Sequence, residues 1–486
     1  MASSSELGAR RSLVLIVCSI AMFTGTFVTT VVAVALPAMG PALQLSYSEA
    51  LWVQAVYVLA MAIFLVPVGR LADQYGLARF FLIGTAIFGV FSVACSLSFS
   101  GAFLIVARCL QGAGAGFTAA TASALVTAAF PPQERGRALG LNAMAGYLGL
   151  MAGPPLGGLI VSHASWRWIF LVNIPLVIIN LIGTWQLLNP ETRDRLVLGA
   201  PTRSLGVRLD WFGIVLLALM LSALLVPLIF VPFWGWTSPL TLGLLAAAVL
   251  LFVVFVLVED KVHDPLLDLD LVRRNRLFAA ASAAAFLNYA AVHGVTTLVA
   301  VFLEVTQGYS AQTAGLYLLT QPVFMAALSP VFGRLSDKIG SRAPATAGML
   351  LVAAGTCQLG VLPGSAPVGR VIAALATVGI GMAAFSSPNT SAVMGSVGRS
   401  QLSLASGFLG TMRTTGQGVS VALLGAIAAS GLGPTGGRVI FLGEEASAAA
   451  AASYGEGFRT AMLVATGLAV VGAAVSMVRG TRVESS

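Results

Sequence analysis

The stretch Gly69-Arg70-Leu71-Ala72-Asp73-Gln74-Tyr75-Gly76 is a short charged turn between two long apolar segments. It recurs 264 residues later as Gly333-Arg334-Leu335-Ser336-Asp337-Lys338-Ile339-Gly340. A charged turn that recurs at the same place between apolar segments indicates a duplicated bundle of membrane-spanning helices. Duplicated bundles of this kind are typical of transporters, in which two halves move about a central site.

The composition excludes a soluble protein. The chain has 486 residues, of which 58% are hydrophobic and 9% charged, whereas about a quarter of the residues of a soluble domain are charged. Four cysteines lie inside apolar runs and have neither disulfide nor zinc-site spacing. We therefore expect an integral membrane protein with many spans, no metal and no cofactor.

Apolar runs of about 20 residues predict the transmembrane helices. Fourteen are present, near residues 12–38, 49–70, 79–99, 102–129, 136–162, 167–189, 210–231, 237–259, 277–305, 312–333, 343–363, 367–394, 402–430 and 456–479. An even number of spans places both termini on the same side of the membrane. The sequence thus predicts an all-α integral membrane protein with fourteen transmembrane helices.

The basic residues predict which side that is. If the termini are cytoplasmic, 20 of the 26 arginines and lysines fall in cytoplasmic stretches and four in outer stretches. This asymmetry follows the positive-inside rule and explains the net charge of +8 without a nucleic-acid partner. The remaining two, Arg108 and Arg413, lie inside apolar runs.

The distance between the two charged turns predicts the domain organisation. Six spans with their loops need about 190 residues here, so a 264-residue repeat leaves room for two extra helices. We expect an N-terminal six-helix bundle at 1–191, a cytoplasmic linker with two inserted helices at 192–272, and a C-terminal six-helix bundle at 273–486. The outer segment 431–455 is expected to form a short surface helix or a hairpin, with no assigned function.

Three motifs occur in order along the chain. The first consists of Gly69, Asp73, Gly76 and Arg79; the second of Arg108, Gln111 and Gly112; the third of Gly149, Gly153, Pro154, Pro155, Gly157 and Gly158. Together with Trp166-Arg167-Trp168 they resemble the major facilitator superfamily, specifically its fourteen-helix drug:proton antiporter branch. The resemblance implies a carrier in the cytoplasmic membrane of a prokaryote that exports hydrophobic or amphipathic drug-like compounds by alternating access, in exchange for protons.

The first span departs from the family pattern. Val28 stands where the family usually carries an acid, and Ala33 where it carries an asparagine. That acid is a commonly proposed proton-coupling group. An alternative is therefore a carrier of an anionic or lipid-like substrate without classical proton coupling.

The duplicated turns are expected to form a conformational latch. Each aspartate can pair with a nearby arginine or cap the positive end of a neighbouring helix, and the glycines permit positive φ. The resemblance implies that this loop holds the two halves together when the site faces outward; the alternative is that it only fixes topology. The predicted latch residues are Gly69, Asp73, Gly76, Arg79, Gly333, Asp337 and Arg342.

Span five is expected to be a bending gate helix. Its glycines at 149, 153 and 157 lie on one face and allow another helix to approach closely. Pro154 and Pro155 predict a kink, because proline removes helix hydrogen bonds. A generic packing helix would explain the glycines alone.

Charged and titratable groups within the spans are the candidates for coupling. A charge in the hydrocarbon region is normally paired or functional. Arg108 is either a structural residue that holds spans together or a residue for coupling or anion binding. His293 is either a proton relay with Glu304, which lies three turns away on the same face, or a helix-packing residue. The proton-coupling candidates are thus Glu304, His293 and Arg108.

Polar and aromatic residues near mid-depth in both halves predict a central cavity. The substrate-binding candidates are Gln54, Tyr57, Arg108, Gln111, Asn142, Tyr147, Asn288, Tyr289, Gln321, Phe385, Asn389, Arg413 and Gln417. The expected partners are a small amphipathic substrate, protons and membrane lipids. An enzyme is disfavoured because the chain has three histidines and no nucleophile or metal motif. A sensor or scaffold with a transporter fold remains a third class.

Overall fold

The computed structural model describes residues 4–45, 47–188, 210–262, 265–266, 269–363, 366–429 and 448–478, and within these ranges its regular structure is helical. The first group of helices is α1 (Ser4–Leu43), α2 (Tyr47–Tyr75), α3 (Leu77–Ser96), α4 (Gly101–Ala129), α5 (Arg135–His163), α6 (Trp168–Leu171) and α7 (Ile174–Leu187). Two further long helices follow, α8 (Trp211–Trp234) and α9 (Pro239–Glu259), and then the short α10 (Leu269–Arg274). The last group is α11 (Arg276–Val301, continued by a π-helical turn Phe302–Thr306), α12 (Ala311–Leu318), α13 (Thr320–Ile339), α14 (Arg342–Gly360), α15 (Val368–Gly395), α16 (Leu402–Ala429) and α17 (Ala448–Met477).

Twelve helical segments among the described residues are long and apolar enough to cross a membrane. They coincide with twelve of the fourteen predicted spans. The other two predicted spans, 343–363 and 402–430, form helices α14 and α16, which are not among these twelve segments. Small and polar residues lower the mean hydropathy of both helices, and α16 also carries Arg413.

The duplicated turns each contain one glycine with positive φ. Gly76 separates α2 from α3 with φ of 111°, and Gly340 follows α13 with φ of 84°. Glycine adopts this region without the steric penalty of a side chain. Gly69 and Gly333, expected to serve the turn in the same way, lie instead inside α2 and α13.

The first and last groups of helices, which we call the N-terminal group (α1–α7) and the C-terminal group (α11–α17), pack against each other along two seams. Helix α5 contacts α13 in one seam, and α2 contacts α16 in the other. Helix α8 packs against α2, α9 and α16, where its leucines share an apolar cluster with Leu59 and Leu404. The helix that follows the N-terminal group therefore contacts both groups.

Two expectations concern residues outside the described ranges. They are the cytoplasmic linker, at 192–209, and most of the outer segment, at 431–447. The position of the missing first-span acid is described: Val28 is fully buried in the apolar core of the N-terminal group.

Candidate functional site

Asp73, in the first charged turn, binds the beginning of a helix in the opposite group. Its Oδ1 accepts a hydrogen bond from the backbone N–H of Ser403 and its Oδ2 one from Leu404, both at 2.8 Å. Helix α16 begins at Leu402, so these N–H groups belong to its first turn and have no partner within the helix. The carboxylate also lies at the positive end of the helix dipole.

Asp337, in the second turn, makes the equivalent contact in the reverse direction. Its Oδ1 accepts from the backbone N–H of Gly136 at 2.7 Å and its Oδ2 from Arg137 at 2.8 Å, at the start of α5. Of the two arrangements expected for these aspartates, helix capping is therefore observed. Arg79 and Arg342 have exposed side chains at the ends of the turns. The duplicated turns therefore form two reciprocal caps, in which an aspartate of each group binds the start of a helix in the other group.

Close backbone contacts surround the two caps. A Cβ atom on Gly69 would lie 2.6 Å from the carbonyl oxygen of Ser403, and one on Gly333 would lie 2.2 Å from that of Gly136. The Ser387 hydroxyl donates to the same Gly136 carbonyl at 2.9 Å. One turn further along, a Cβ atom on Gly407 would lie equally close to the carbonyl oxygen of Leu65. We call this closed region, formed by α2, α16, α13 and α5, the turn end.

Helix α5 packs on α1 through its predicted glycine face. Added Cβ atoms on Gly149 and Gly153 would lie 2.3 Å from the Phe23 carbonyl oxygen and 1.8 Å from the Thr30 Oγ1. On the third glycine, Gly157, an added Cβ would lie 2.8 Å from a Val31 methyl. The predicted gate residues Pro154, Pro155 and Gly158 lie off this contact. Both prolines are exposed, the added Cβ of Gly158 meets nothing within 4 Å, and α5 continues through them without a break.

Arg108 is enclosed in a polar network inside the N-terminal group. It is 1% exposed, and its guanidinium donates from Nε to the Val53 carbonyl at 3.0 Å and from NH1 to Gln111 Oε1 at 2.6 Å. The guanidinium carbon lies 4.2 Å from the centre of the Tyr57 ring. Gln111 in turn donates to the Ser92 hydroxyl at 2.8 Å. These contacts join α2, α3 and α4, which favours the structural interpretation of Arg108.

Replacing Arg108 by methionine is expected to destabilise the fold rather than to block a binding step. The Val53 carbonyl and the Gln111 side chain lose a donor, and each unsatisfied buried group costs about 1–3 kcal/mol. Thermal unfolding of the purified protein should show a clearly lower Tm for Arg108→Met than for Arg370→Gln, which changes an exposed arginine. A normal Tm combined with lost transport would assign Arg108 to function instead.

A cavity of about 280 Å³ lies between the two groups next to the turn end. It is lined by α1, α2, α3, α4, α5, α7, α11 and α16, so both groups contribute. Its polar and aromatic lining includes Thr26, Thr29, Tyr57, Tyr289, His293, Arg413, Thr414 and Gln417. The size is near the lower limit for pockets that enclose small organic ligands.

Four of the predicted substrate-binding residues line this cavity, namely Tyr57, Tyr289, Arg413 and Gln417. The other nine do not: Gln54, Arg108, Gln111, Asn142, Tyr147, Asn288, Gln321, Phe385 and Asn389. Several of these bond within their own group. The Asn389 amide donates to the Ala281 carbonyl at 3.1 Å, and Gln321 accepts from the Thr296 hydroxyl at 3.2 Å.

The sequence interpretation missed the hydroxyl and thioether residues of the N-terminal wall. Thr26 and Thr29 on α1, Met22 on the same helix and Met61 on α2 all line the cavity. A signal was present, because residues 22, 25, 26 and 29 recur at helical spacing on one face of α1.

The proton-coupling candidates occupy different places. His293 lines the cavity and keeps accessible surface there. Glu304 is exposed, lies in the π-helical turn that follows α11, and does not line the cavity. None of the residues that line this cavity is an aspartate or a glutamate.

Arg413 is a cation on the cavity wall with neutral neighbours. Its NH2 donates to the Thr390 hydroxyl at 2.5 Å, and its guanidinium carbon lies 5.7 Å from the centre of the Tyr289 ring. Its Nε has no hydrogen-bond partner among the described residues.

Comparison with known proteins agrees with this architecture. The Major Facilitator Superfamily profile matches residues 18–421 and 281–485. Multidrug resistance protein Stp of Mycobacterium tuberculosis is 33% identical, over 87% of this chain and 77% of that protein. The tetracenomycin C resistance and export protein of Streptomyces glaucescens is 31% identical, over 83% of this chain and 73% of that protein.

The fold also matches a solved carrier. The structure of the proton:xylose symporter XylE superposes with a TM-score of 0.67 at 13% identity, covering 96% of this chain and 95% of that one. With two reciprocally capped helix groups around a shared cavity, and with a family profile that spans nearly all of its length, this chain belongs to the Major Facilitator Superfamily.

Proposed function

We propose that the chain is an exporter of hydrophobic and amphipathic drug-like compounds in the cytoplasmic membrane of a prokaryote, working by alternating access. The observation that carries the proposal is the cavity lined by both helix groups, next to an end that two reciprocal aspartate caps hold closed. Relatives named as resistance and export proteins support the direction of transport.

The proposed architecture has fourteen spans with both termini in the cytoplasm. Helices α14 and α16 complete the set, because both pack closely against helices that are apolar enough to span a membrane. Helix α14 packs against α15 and α17, and α16 packs against α11 and α2. The domains are an N-terminal bundle at 1–191, a linker with two inserted helices at 192–272, and a C-terminal bundle at 273–486. The turn end is then cytoplasmic and the described conformation faces outward.

Proton antiport is the proposed energy source, and it requires a group that changes its protonation while it faces the cavity. His293 meets this requirement because it lines the cavity with accessible surface. An imidazole can bind and release a proton, as a coupling group must. Glu304 lies outside the lining and Arg108 is enclosed by its network, so neither is as well placed.

A second candidate is a carrier of an anionic or lipid-like substrate without classical proton coupling. Two observations favour it. Arg413 places a cation on the cavity wall, and the position of the family's first-span acid is filled by the buried apolar Val28.

A growth-inhibition panel in an efflux-deficient bacterial host tests the export function. Expression of the wild-type chain should raise the inhibitory concentration of at least one amphipathic compound about fourfold or more. Efflux of that compound from proteoliposomes should acidify the vesicle interior if protons are exchanged. Unchanged tolerance to every compound would contradict the proposal.

A further inference from the structure

The two walls of the cavity differ in chemistry. The C-terminal group contributes Tyr289 and His293 from α11, and Arg413 and Gln417 from α16. The N-terminal group contributes mainly apolar and hydroxyl side chains, among them Met22, Met61, Phe88 and Thr29. A ligand that fills the cavity therefore meets a charged and hydrogen-bonding surface on one side and a mainly apolar surface with hydroxyl groups on the other.

The polar wall carries a positive charge that the described protein does not neutralise. Arg413 has a hydroxyl and an aromatic ring as neighbours and makes no ion pair among the described residues. No lining residue is acidic. Three of the described acids illustrate this: Asp73 and Asp337 are bound to helix N-termini at the turn end, and Glu304 is exposed outside the lining.

An uncompensated guanidinium in a membrane interior is unfavourable, and an anion that binds it removes that penalty. A cationic ligand, in contrast, would meet like charge in a cavity that offers no carboxylate. Guanidinium also forms stronger hydrogen bonds with anionic oxygens than with neutral acceptors.

We propose that the cavity selects amphipathic anions, whose carboxylate or sulfonate binds Arg413 while the apolar part rests on the N-terminal wall. This inference rests on the proposed function, because it names the substrate class of the exporter's cavity.

The charge of such a substrate has a consequence for the driving force. Each cycle carries at least one negative charge out of a cell whose interior is negative. A potential of 100 mV favours this movement about 50-fold at steady state, or about 2.3 kcal/mol per charge. Export would then proceed down the membrane potential even without a first-span acid.

A matched pair of fluorescent probes tests the selectivity. 8-Anilino-1-naphthalenesulfonate is N-phenyl-1-naphthylamine with one added sulfonate, so the two differ by a single negative charge. Binding to the purified full chain is followed by energy transfer from tryptophan. The sulfonate should bind about tenfold or more tightly to the wild type than to Arg413→Gln, while the neutral amine differs by less than about twofold.

Two further variants separate charge from folding. Arg413→Lys keeps the charge and should retain most of the sulfonate affinity. Thr390→Asp supplies Arg413 with an internal carboxylate and should weaken sulfonate binding as Arg413→Gln does. The exposed Arg370→Gln serves as the control and should bind both probes like the wild type. Equal sulfonate binding by the wild type, Arg413→Gln and Thr390→Asp overturns the proposal.

A transport experiment distinguishes a failure of this inference from a failure of the proposed export function. Proteoliposomes with a potassium diffusion potential, inside negative, should expel the sulfonate faster than vesicles without a potential. If the growth panel identifies exported compounds that are neutral or cationic and unaffected by Arg413→Gln, the anion inference fails while the export function stands. If the panel identifies none, the export function fails.

Discussion

Asp73→Asn combined with Asp337→Asn is expected to abolish more than about nine-tenths of transport while leaving the protein folded. Each carboxylate accepts two hydrogen bonds from the first turn of a helix in the opposite group. Asparagine offers one acceptor oxygen and no charge. Hydrogen bonds to charged groups contribute about 1.5–3 kcal/mol each, so losing at least one bond at each cap should shift the population of the closed turn end by about 100-fold or more.

Cysteine labelling measures this shift. Ser403 is fully buried beside the Asp73 cap, and Ser403→Cys is nearly isosteric. In a background without the four native cysteines, maleimide labelling of Cys at position 403 should rise about tenfold or more in the double variant. Glu456→Gln is the control, since it removes an exposed acid in the first third of α17 that belongs to neither cap. Unchanged labelling with unchanged transport would show that the caps fix only topology.

Gly333→Ala is expected to prevent closure of the turn end altogether. The new Cβ would lie 2.2 Å from the Gly136 carbonyl oxygen and 2.8 Å from its carbon, both backbone atoms that no rotamer change can move. Helices α13 and α5 would have to separate by about 1 Å to reach van der Waals distance, and overpacking of this kind costs about 1–3 kcal/mol or more. Once the groups have moved apart, the remaining close contact is the Ser387 hydroxyl at 3.0 Å, a side-chain atom that can rotate away.

The matched control for Gly333→Ala is Gly158→Ala on α5. An added Cβ there meets nothing within 4 Å, so transport should remain near the wild-type rate. Initial rates of substrate efflux from proteoliposomes compare the two variants. If Gly333→Ala transports as fast as Gly158→Ala, the turn end does not close in the working cycle.

The sequence was sufficient for the helical architecture and for the role of the two aspartates as possible helix caps. The duplicated turn carried this information because the same residues must make the same contact twice. The sequence did not identify which helices the two aspartates cap. The helices are α16 and α5, and their N–H donors belong to Ser403, Leu404, Gly136 and Arg137, which carry no side-chain signal for that contact.

The function of Gly69 and Gly333 could not be read from the motif alone. In sequence they resemble turn residues, since they begin a charged phrase that ends in Gly76 and Gly340. The α-helix continues through both, and the glycine is required by the carbonyl group of the facing helix. A backbone contact between distant segments leaves no local pattern.

The sequence predicted which polar side chains lie near the middle of the membrane, but not which of them face the cavity. Tyr57 and Asn288 both lie near the middle of long helices, yet only Tyr57 faces the cavity. The Asn288 amide contacts Met349 Sδ at 3.0 Å inside the C-terminal group. Polar side chains in membrane bundles also serve as contacts between helices, so polarity at mid-depth does not separate binding from packing.

The distance between the two charged turns is the most direct measure of the central claim, that two helix groups move about the cavity and lock through reciprocal caps. Tyr75 and Ile339 end α2 and α13 and have exposed side chains suited to spin labels. Double electron–electron resonance on Tyr75→Cys/Ile339→Cys should give the distance of the closed turn end with the native aspartates. Adding Asp73→Asn and Asp337→Asn should shift the distribution to longer distances. An identical distribution in both proteins would contradict the account.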